Sequence, residues 1–377
     1  MKYIVIGAGW FGIRAVQAIE SLSAESEITV LQVGSKDYID ISIANPRLAV
    51  EPEMVDVAYQ PLTKAWKRAN LIHIHEIKHV SSGEVIIIDT NGIEKTLEAD
   101  GVIIATGTVQ KSSLMKDSKG KSKEDRYAEF ISFRNAVQNS KAGVLVIGGG
   151  MTGTELIAEV ATDFPDVKCT LVNKPELLLA GSSKRSSMHK VVMKQLTKLG
   201  INVINNDYIE DVNEDYMGGP KTFTTKKGVK IDADVVILCV GGRPNIPFPV
   251  GDDAIDETTR GLVVNGAMLC ENIGVDPTKP VWAIGDCTQY GGRGMFADAH
   301  IKAMLSSMVH FEKHGSTKAG PMSYNHKPSE ECPCLVSVGR RGGAITLPFP
   351  NAMLGRALKS KDLGLKFIYN AQFKVKL

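Results

Sequence analysis

The sequence predicts an α/β protein that uses one strand–turn–helix–strand unit twice and ends in a small α+β region. Three observations carry this. Residues 2–6 and 144–147 are short, β-rich apolar runs, and each leads straight into a glycine cluster. Each cluster opens a stretch of helical spacing, and a second apolar strand closes the unit after about 30 residues. The two copies are offset by about 140 residues.

In the first unit the strand 2–6 is followed by Gly7-Ala8-Gly9-Trp10-Phe11-Gly12, a helix over 13–21 and a strand over 28–33. In the second, the strand 144–147 is followed by Gly148-Gly149-Gly150-Met151-Thr152-Gly153, a helix over 154–162 and a strand over 169–172. Three more apolar strands end in glycine. Residues 101–105 lead to Thr106-Gly107, 235–240 to Gly241-Gly242-Arg243-Pro244, and 281–284 to Gly285-Asp286. Residues 111–125 are polar, rich in lysine and serine, and aperiodic, which reads as a flexible connection. The last 60 residues break the alternation. Residues 335–347 read as a hairpin around Arg341-Gly342-Gly343, and 352–377 are basic and weakly amphipathic.

A length of 377 residues calls for two to three domains. With 43% hydrophobic and 23% charged residues the composition is that of a globular protein. A net charge of +2 gives no bulk attraction to nucleic acid, and no nucleic-acid partner is expected. No run reaches the 18 or so apolar residues of a bilayer-spanning helix. The apolar start is too short for a signal peptide, and Met1-Lys2 lacks the glycine of a myristoylation site. The expected location is cytoplasmic. Six cysteines, mostly inside apolar runs, read as reduced thiols rather than a disulfide scaffold.

The glycine turns carry the chemistry. A dinucleotide pyrophosphate must approach the main chain closely. The first glycine permits the tight turn, the second the approach of the phosphates, and the third the packing of helix on strand. The helix N-terminus adds N–H donors and a partial positive charge. Both copies follow a strand and open a helix, so the units are expected to be Rossmann-like dinucleotide-binding domains. The acidic residue that ordinarily meets the ribose about 20 positions on is absent from both. The first unit ends Leu31-Gln32-Val33-Gly34, with Asp37 three residues late, and the second ends Leu171-Val172-Asn173-Lys174. With Asn173 neutral, Lys174 reads either as a partner for the 2′-phosphate of NADPH or as a solvated strand end.

These motifs, in this order, together with Glu155, Glu159 and the run Ala283-Ile284-Gly285-Asp286-Cys287, resemble the FAD-dependent pyridine nucleotide oxidoreductases. Within them the chain is most similar to the apoptosis-inducing-factor-2-like, or ferroptosis-suppressor, branch, related to type II NADH dehydrogenases. That finer resemblance rests on Lys36-Asp37-Tyr38, residues 45–50, Val338-Gly339-Arg340-Arg341-Gly342-Gly343, and Lys359-Ser360-Lys361-Asp362-Leu363. It implies a discontinuous FAD domain (1–110 and 250–315), an inserted NAD(P)H domain (125–249) and a C-terminal domain (316–377). Gly7 to Gly12, Ala105, Thr106, Gly107, Gly285 and Asp286 would hold FAD, with Arg47 on the cofactor and the Ile77 main chain against adenine. Gly148, Gly150, Gly153, Asn173, Lys174 and Gly241 would hold the nicotinamide dinucleotide. Glu155 would lie near its ribose, with Glu159 four residues on along the same helix face.

The family's dithiol reductases carry a cysteine pair early in the FAD domain, whereas residues 35–60 here contain no cysteine. Cys332-Pro333-Cys334 reads as two inert thiols, because so short a loop would strain a disulfide. Chemistry should then fall to the cofactors, with the protein orienting them. The resemblance implies NADH or NADPH as reductant, FAD as carrier and a small acceptor, a quinone. No metal site is expected, since His73 and His75 merely alternate on a strand. His300 and Lys302, and the tail residue Lys359, are the candidates to steady charge at the flavin. The basic, amphipathic tail is expected either to touch a membrane surface or to complete the flavin site. The sequence does not set the oligomeric state, and a homodimer is one assembly open to it. The rival readings are a reductase of a ferredoxin- or rubredoxin-type protein, and a slow flavin-containing signalling protein.

Overall fold

The computed structural model describes residues 1–179, 185–274, 276–291, 296–318, 320–324, 334–346 and 363–375. The first unit is β1 (Lys2–Ile6), α1 (Trp10–Leu22) and β2 (Glu27–Val33). Short helices α2 (Asn45–Leu48) and α3 (Val55–Ala58) follow, then β3 (Asn70–Ser81), β4 (Glu84–Asp89), β5 (Glu94–Glu98), β6 (Gly101–Ile104) and β7 (Thr108–Gln110). Helix α4 (Lys123–Gln138) leads into the second unit, β8 (Val144–Ile147), α5 (Met151–Asp163) and β9 (Cys169–Asn173). After it come α6 (Arg185–Lys198), β10 (Asn202–Asn205), β11 (Lys221–Thr224), β12 (Lys230–Ala233), β13 (Val235–Leu238) and β14 (Gly242–Pro244). The chain continues through β15 (Val281–Ala283), α7 (Ala297–His314), β16 (Leu335–Val338) and β17 (Gly342–Ile345), and a short helical stretch covers Leu365–Phe367 and Ile368–Phe373.

Seven strands form one sheet in the order β15-β6-β1-β2-β3-β4-β5. The first five run parallel, and β4 and β5 close the edge as an antiparallel meander. Four strands form a second, fully parallel sheet, β10-β9-β8-β13. Strands β1, β6, β8 and β13 read as unbroken apolar runs because both faces of a parallel sheet are covered, and nearly every residue in them is buried. In each sheet the order reverses beside the strand that enters a glycine turn: β1 sits between β2 and β6, and β8 between β9 and β13. Crevices at the carboxyl ends of such switch points are where open α/β sheets take ligands. Strand β15 joins the first sheet although the whole second sheet precedes it in the chain. Two antiparallel strands, β7 and β14, link the two sheets (Val109 opposite Arg243).

The segment 111–125 differs from the flexible connection its composition predicts. Arg126 is fully buried and donates to Ser113 O and Leu114 O, each at 2.8 Å. Buried Asn45 donates to Met115 O at 2.9 Å, and Ser35 N to Gly120 O at 2.7 Å. A buried guanidinium and amide need acceptors, and the backbone of this segment supplies them. Helix α4 then starts within it, with the Ser122 hydroxyl accepting from Asp125 N at 3.0 Å. The expected hairpin near 335–347 is present as β16 and β17, in register from Leu335 opposite Ile345 to Val338 opposite Gly342.

Candidate functional site

The two glycine turns have the same construction. Gly7 and Gly148 hold left-handed backbone (φ +102° and +112°), and a Cβ on either would strike the neighbouring strand's exit, at 2.7 Å from Ala105 O and 2.2 Å from Cys239 O. Gly12 and Gly153 sit where a Cβ would come within 1.9 Å of the carbonyl of Gly7 or Gly148, so helix and turn pack backbone to backbone. Gly9 and Gly150 differ. A Cβ at either meets nothing within 4 Å, so no internal contact requires glycine there. Open space in front of the middle glycine is what a pyrophosphate approaching the main chain needs. Gly9 and Gly150 are the N-caps of α1 and α5, and neither helix has a side-chain cap or an acidic residue in its first turn. The uncapped N–H groups and the dipole are left to an external anion. Trp10 Nε1, in the first of these helix starts, is buried with no hydrogen-bond partner among the described residues.

Around the first turn, parallel β1, β6 and β15 bring residues 7–12, 105–107 and 285–286 to one sheet edge. Gly285 (φ +83°) lies against Phe11, 2.7 Å from where its Cβ would be, and Gly285 N donates to His300 Nδ1 at 3.1 Å. Phe11 and His300 rings are 5.5 Å apart. Gly107 O accepts from Asn245 N at 2.8 Å, tying this edge to the ribbon that joins the sheets. His300 and Lys302 lie two residues apart on α7, about 200° around the helix. The structure turns His300 inward, fully buried, and Lys302 out to solvent. Of the two, His300 faces the turn at Gly285 and Lys302 lies on the exposed side of α7. Ile77 is buried in β3, between two irregularities of its pairing with β4. Asp286 follows Gly285 in a 3-10 turn at the end of β15.

Arg47, expected on the cofactor, is paired inside the protein with Glu159. It is 1% exposed and holds Glu159 through two bonds, Nε to Oε2 at 2.7 Å and an Nη to Oε1 at 2.8 Å. Arg340, at the turn of the β16–β17 hairpin, joins Glu159 (3.2 Å), Asp163 and Glu51 (2.9 Å). The network links α2, α5 and the hairpin because a buried carboxylate must be paired. Burial pushes the Glu159 carboxyl up, against the pull of Arg47 and Arg340. Glu155, one turn earlier on the same helix, is buried and accepts from Ser337 N at 2.9 Å. So the pair of glutamates that the sequence sets on one helix face both anchor C-terminal residues.

In the second turn, Asn173 is buried and Lys174 exposed, with its Nζ 4.7 Å from the centre of the Tyr208 ring. Gly241 (φ +90°) faces open space, and its neighbour Val240 is 51% exposed. One residue escaped sequence reading: Gln32, buried, whose Oε1 accepts from Ala8 N at 3.1 Å. Its signal was available, since Gln32 lies 24 residues after Ala8, as Asn173 does after Gly149. Lys359 lies outside the described residues, as do Cys332 and the rest of 347–362. The cysteines at 169, 239, 270, 287 and 334 are all buried. Burial pushes the Cys169 thiol up to about 12 and raises Cys239, Cys270 and Cys287 as well.

Residues 1–307 match the model of a family described as pyridine nucleotide-disulphide oxidoreductase. The chain belongs to that family. Among relatives it is 26% identical to apoptosis-inducing factor homolog B of Dictyostelium discoideum, over 96% of this chain and 94% of the other. It is 23% identical to human ferroptosis suppressor protein 1, over 96% and 93%. Its fold is shared with the sulfide:quinone oxidoreductase of Aquifex aeolicus (TM-score 0.70, 16% identity, 100% of this chain and 92% of that one). It is shared too with NDH2 of Plasmodium falciparum solved with NADH (TM-score 0.67, 16%, 99% and 98%). As a pyridine nucleotide-disulphide oxidoreductase, the protein is an FAD-containing, NAD(P)H-dependent enzyme. The cradles in front of Gly9 and Gly150 fit two such dinucleotides. No helix among the described residues is long and apolar enough to cross a membrane.

Proposed function

We propose that the protein is an NAD(P)H:quinone oxidoreductase that works without a protein dithiol. FAD is assigned to residues 1–110 and 250–315, NAD(P)H to 125–249, and a C-terminal region to 316–377. One observation carries the reading: a single chain holds two turns of the same construction, both open before the middle glycine, while its described cysteines are buried thiols. A flavin held in the first cradle would supply the hydride-accepting and electron-passing chemistry between NAD(P)H and the acceptor. The chain's own groups hold and orient. The N–H groups opening α1 and α5 would hold the pyrophosphates and Gly285-Asp286 the FAD sugar region, with buried His300 backing that turn through Gly285 N. Glu155, on the side of the nicotinamide ribose by resemblance, is steadied by Ser337 N.

A quinone acceptor is supported by the likeness to the sulfide:quinone oxidoreductase of Aquifex aeolicus, and by the burial of every described cysteine, which leaves none of them placed to relay electrons. The apolar residues of the tail that are described bear on membrane contact. Leu363, Leu365, Ile368, Tyr369 and Phe373 are buried against the protein, with Phe373 and Trp10 rings 4.9 Å apart. That favours a tail that completes the flavin side over one that lies in lipid. Homodimerisation is open to a sedimentation measurement. The deciding experiment is an anaerobic titration. The purified protein should be yellow and bleach on addition of NADH or NADPH, and ubiquinone or menaquinone should restore the colour with turnover. Reoxidation only by a ferredoxin- or rubredoxin-type protein would overturn the quinone assignment.

A further inference from the structure

The two turns share a second layer of bonding. Gly7 N donates to Leu31 O (2.9 Å) and Gly148 N to Val172 O (2.8 Å), and the next N–H of each turn reaches a side chain instead. Ala8 N donates to Gln32 Oε1 at 3.1 Å, and Gly149 N to Asn173 Oδ1 at 3.2 Å, across the same 24-residue span. Gln32 and Asn173 are thus one position of the repeated unit, and both are buried. It is the strand end where dinucleotide-binding units ordinarily place the ribose carboxylate.

An amide can do here what a carboxylate cannot, because it accepts and donates at once. Asn173 Nδ2 donates to Pro175 O (2.7 Å), Leu177 O (3.2 Å) and Asn205 Oδ1 (3.0 Å), and Gln32 Nε2 donates to Val33 O (2.9 Å). A carboxylate could accept the turn's N–H but would face those carbonyl oxygens with a negative charge. Side-chain length and turn residue are matched as well. A Cβ on Gly149 would lie 2.7 Å from Asn173 Cγ, whereas the longer Gln32 faces Ala8, which carries a Cβ.

Building on the two-dinucleotide reading, we propose that Gln32 and Asn173 are paired positioning residues that fix the phosphate turns from inside and leave the second ribose edge uncharged, so that it takes NADPH as readily as NADH. The neutral Asn173 puts no carboxylate in the path of a 2′-phosphate, and Lys174 follows it on the exposed side.

The test uses the holoprotein and four variants. Flavin affinity is read from reconstitution of apoprotein with FAD, and nicotinamide affinity from equilibrium titration with NADH and with NADPH. Gln32→Leu should weaken FAD about tenfold, the size expected when a buried hydrogen bond is lost, and leave nicotinamide binding to the residual holoprotein unchanged. Asn173→Leu should keep full flavin content and weaken both nicotinamides about tenfold. Gln32→Glu, which restores the acceptor for Ala8 N but faces Val33 O with a charge, should recover only part of the FAD affinity. Asn173→Asp, which restores the acceptor but loses the three donated bonds, should recover NADH binding only in part and leave NADPH weaker still, since the acceptor now carries charge. Parental flavin affinity in Gln32→Leu, parental nicotinamide affinity in Asn173→Leu, or a parent that binds NADPH more than about tenfold more weakly than NADH would each overturn the inference. A parent that binds NADPH normally but no flavin overturns the oxidoreductase reading itself, and the Gln32 half with it.

Discussion

The first and second glycine turns agree in backbone and differ in what surrounds them. Gly285, Phe11 and His300 wall the first, and the C-terminal stretch packs on the helix that the turn opens. Gln17 Nε2 donates to Phe373 O at 2.7 Å, Arg14 to Gln372 Oε1 at 2.7 Å, and Trp10 meets Phe373 edge to face. Beside the second, Val240 is half exposed and Gly241 faces open space. The lesson is that one turn geometry serves two uses. Aromatic walls beside the first copy suit a cofactor that stays, and the exposed Val240 beside the second suits one that must enter and leave at every cycle.

The sharpest way to break the comparison is to fill each turn. Gly12→Ala places a methyl 1.9 Å from a backbone carbonyl, and the expected product is a colourless protein with normal circular dichroism. Gly153→Ala makes the same clash in the second copy, and should leave the yellow colour while NADH and NADPH no longer bleach it. If both variants lose flavin, the two turns do not serve separate cofactors.

Arg47→Ala probes what holds the copies together. It leaves the buried Glu159 carboxylate only its 3.2 Å contact with Arg340 and should cost roughly 3 kcal/mol in chemical denaturation. Arg340→Ala, on a partly exposed side chain, should cost less, and an equal loss would show that the hairpin holds Glu159 as firmly as α2 does.

A smaller effect separates the strand entries. Just before β6, Asp100 accepts from Lys2 N at 2.7 Å, whereas just before β13 Asp234 accepts from Ser140 Oγ and from the N–H groups of Lys141, Ala142 and Gly143. Partial burial works to raise the Asp234 carboxyl, but these donors outweigh it and hold it below the usual range. A depressed carboxyl stabilises the fold above its unfolded value of about 3.9 and loses that contribution as pH falls through the folded value. Asp234→Asn should therefore lower stability at neutral pH and flatten its fall below pH about 4, measured by thermal melting against pH.

The smallest expected effect is none. Iodoacetamide at pH 8 should leave NAD(P)H-driven acceptor reduction intact, because burial keeps the Cys169, Cys239, Cys270 and Cys287 thiols protonated. Loss of turnover that tracks labelling of one of these cysteines would restore a thiol relay.

Much of the fold was legible because its signals are local. Strands at 144–147, 169–173 and 281–283 stand within a residue or so of where their apolar runs place them, and both turns open helices as the glycine spacing requires. The segment 111–125 misled because its polar residues describe its own preference and say nothing of Arg126 and Asn45, which bind its carbonyls. Gln32 was passed over because a search for an acid discards an amide, although both can accept the N–H of Ala8.

By itself, then, the chain's order of residues determined the repeated unit, the placing of glycine where only glycine fits, and the lack of an early cysteine pair. Each of these is set by neighbours a few positions apart. The tertiary structure alone decided that Arg47 pairs with Glu159 across 112 residues, that His300 rather than Lys302 turns inward, and that the C-terminal stretch closes over Trp10. Those outcomes depend on which distant groups must share a buried volume, and a linear pattern does not carry that information.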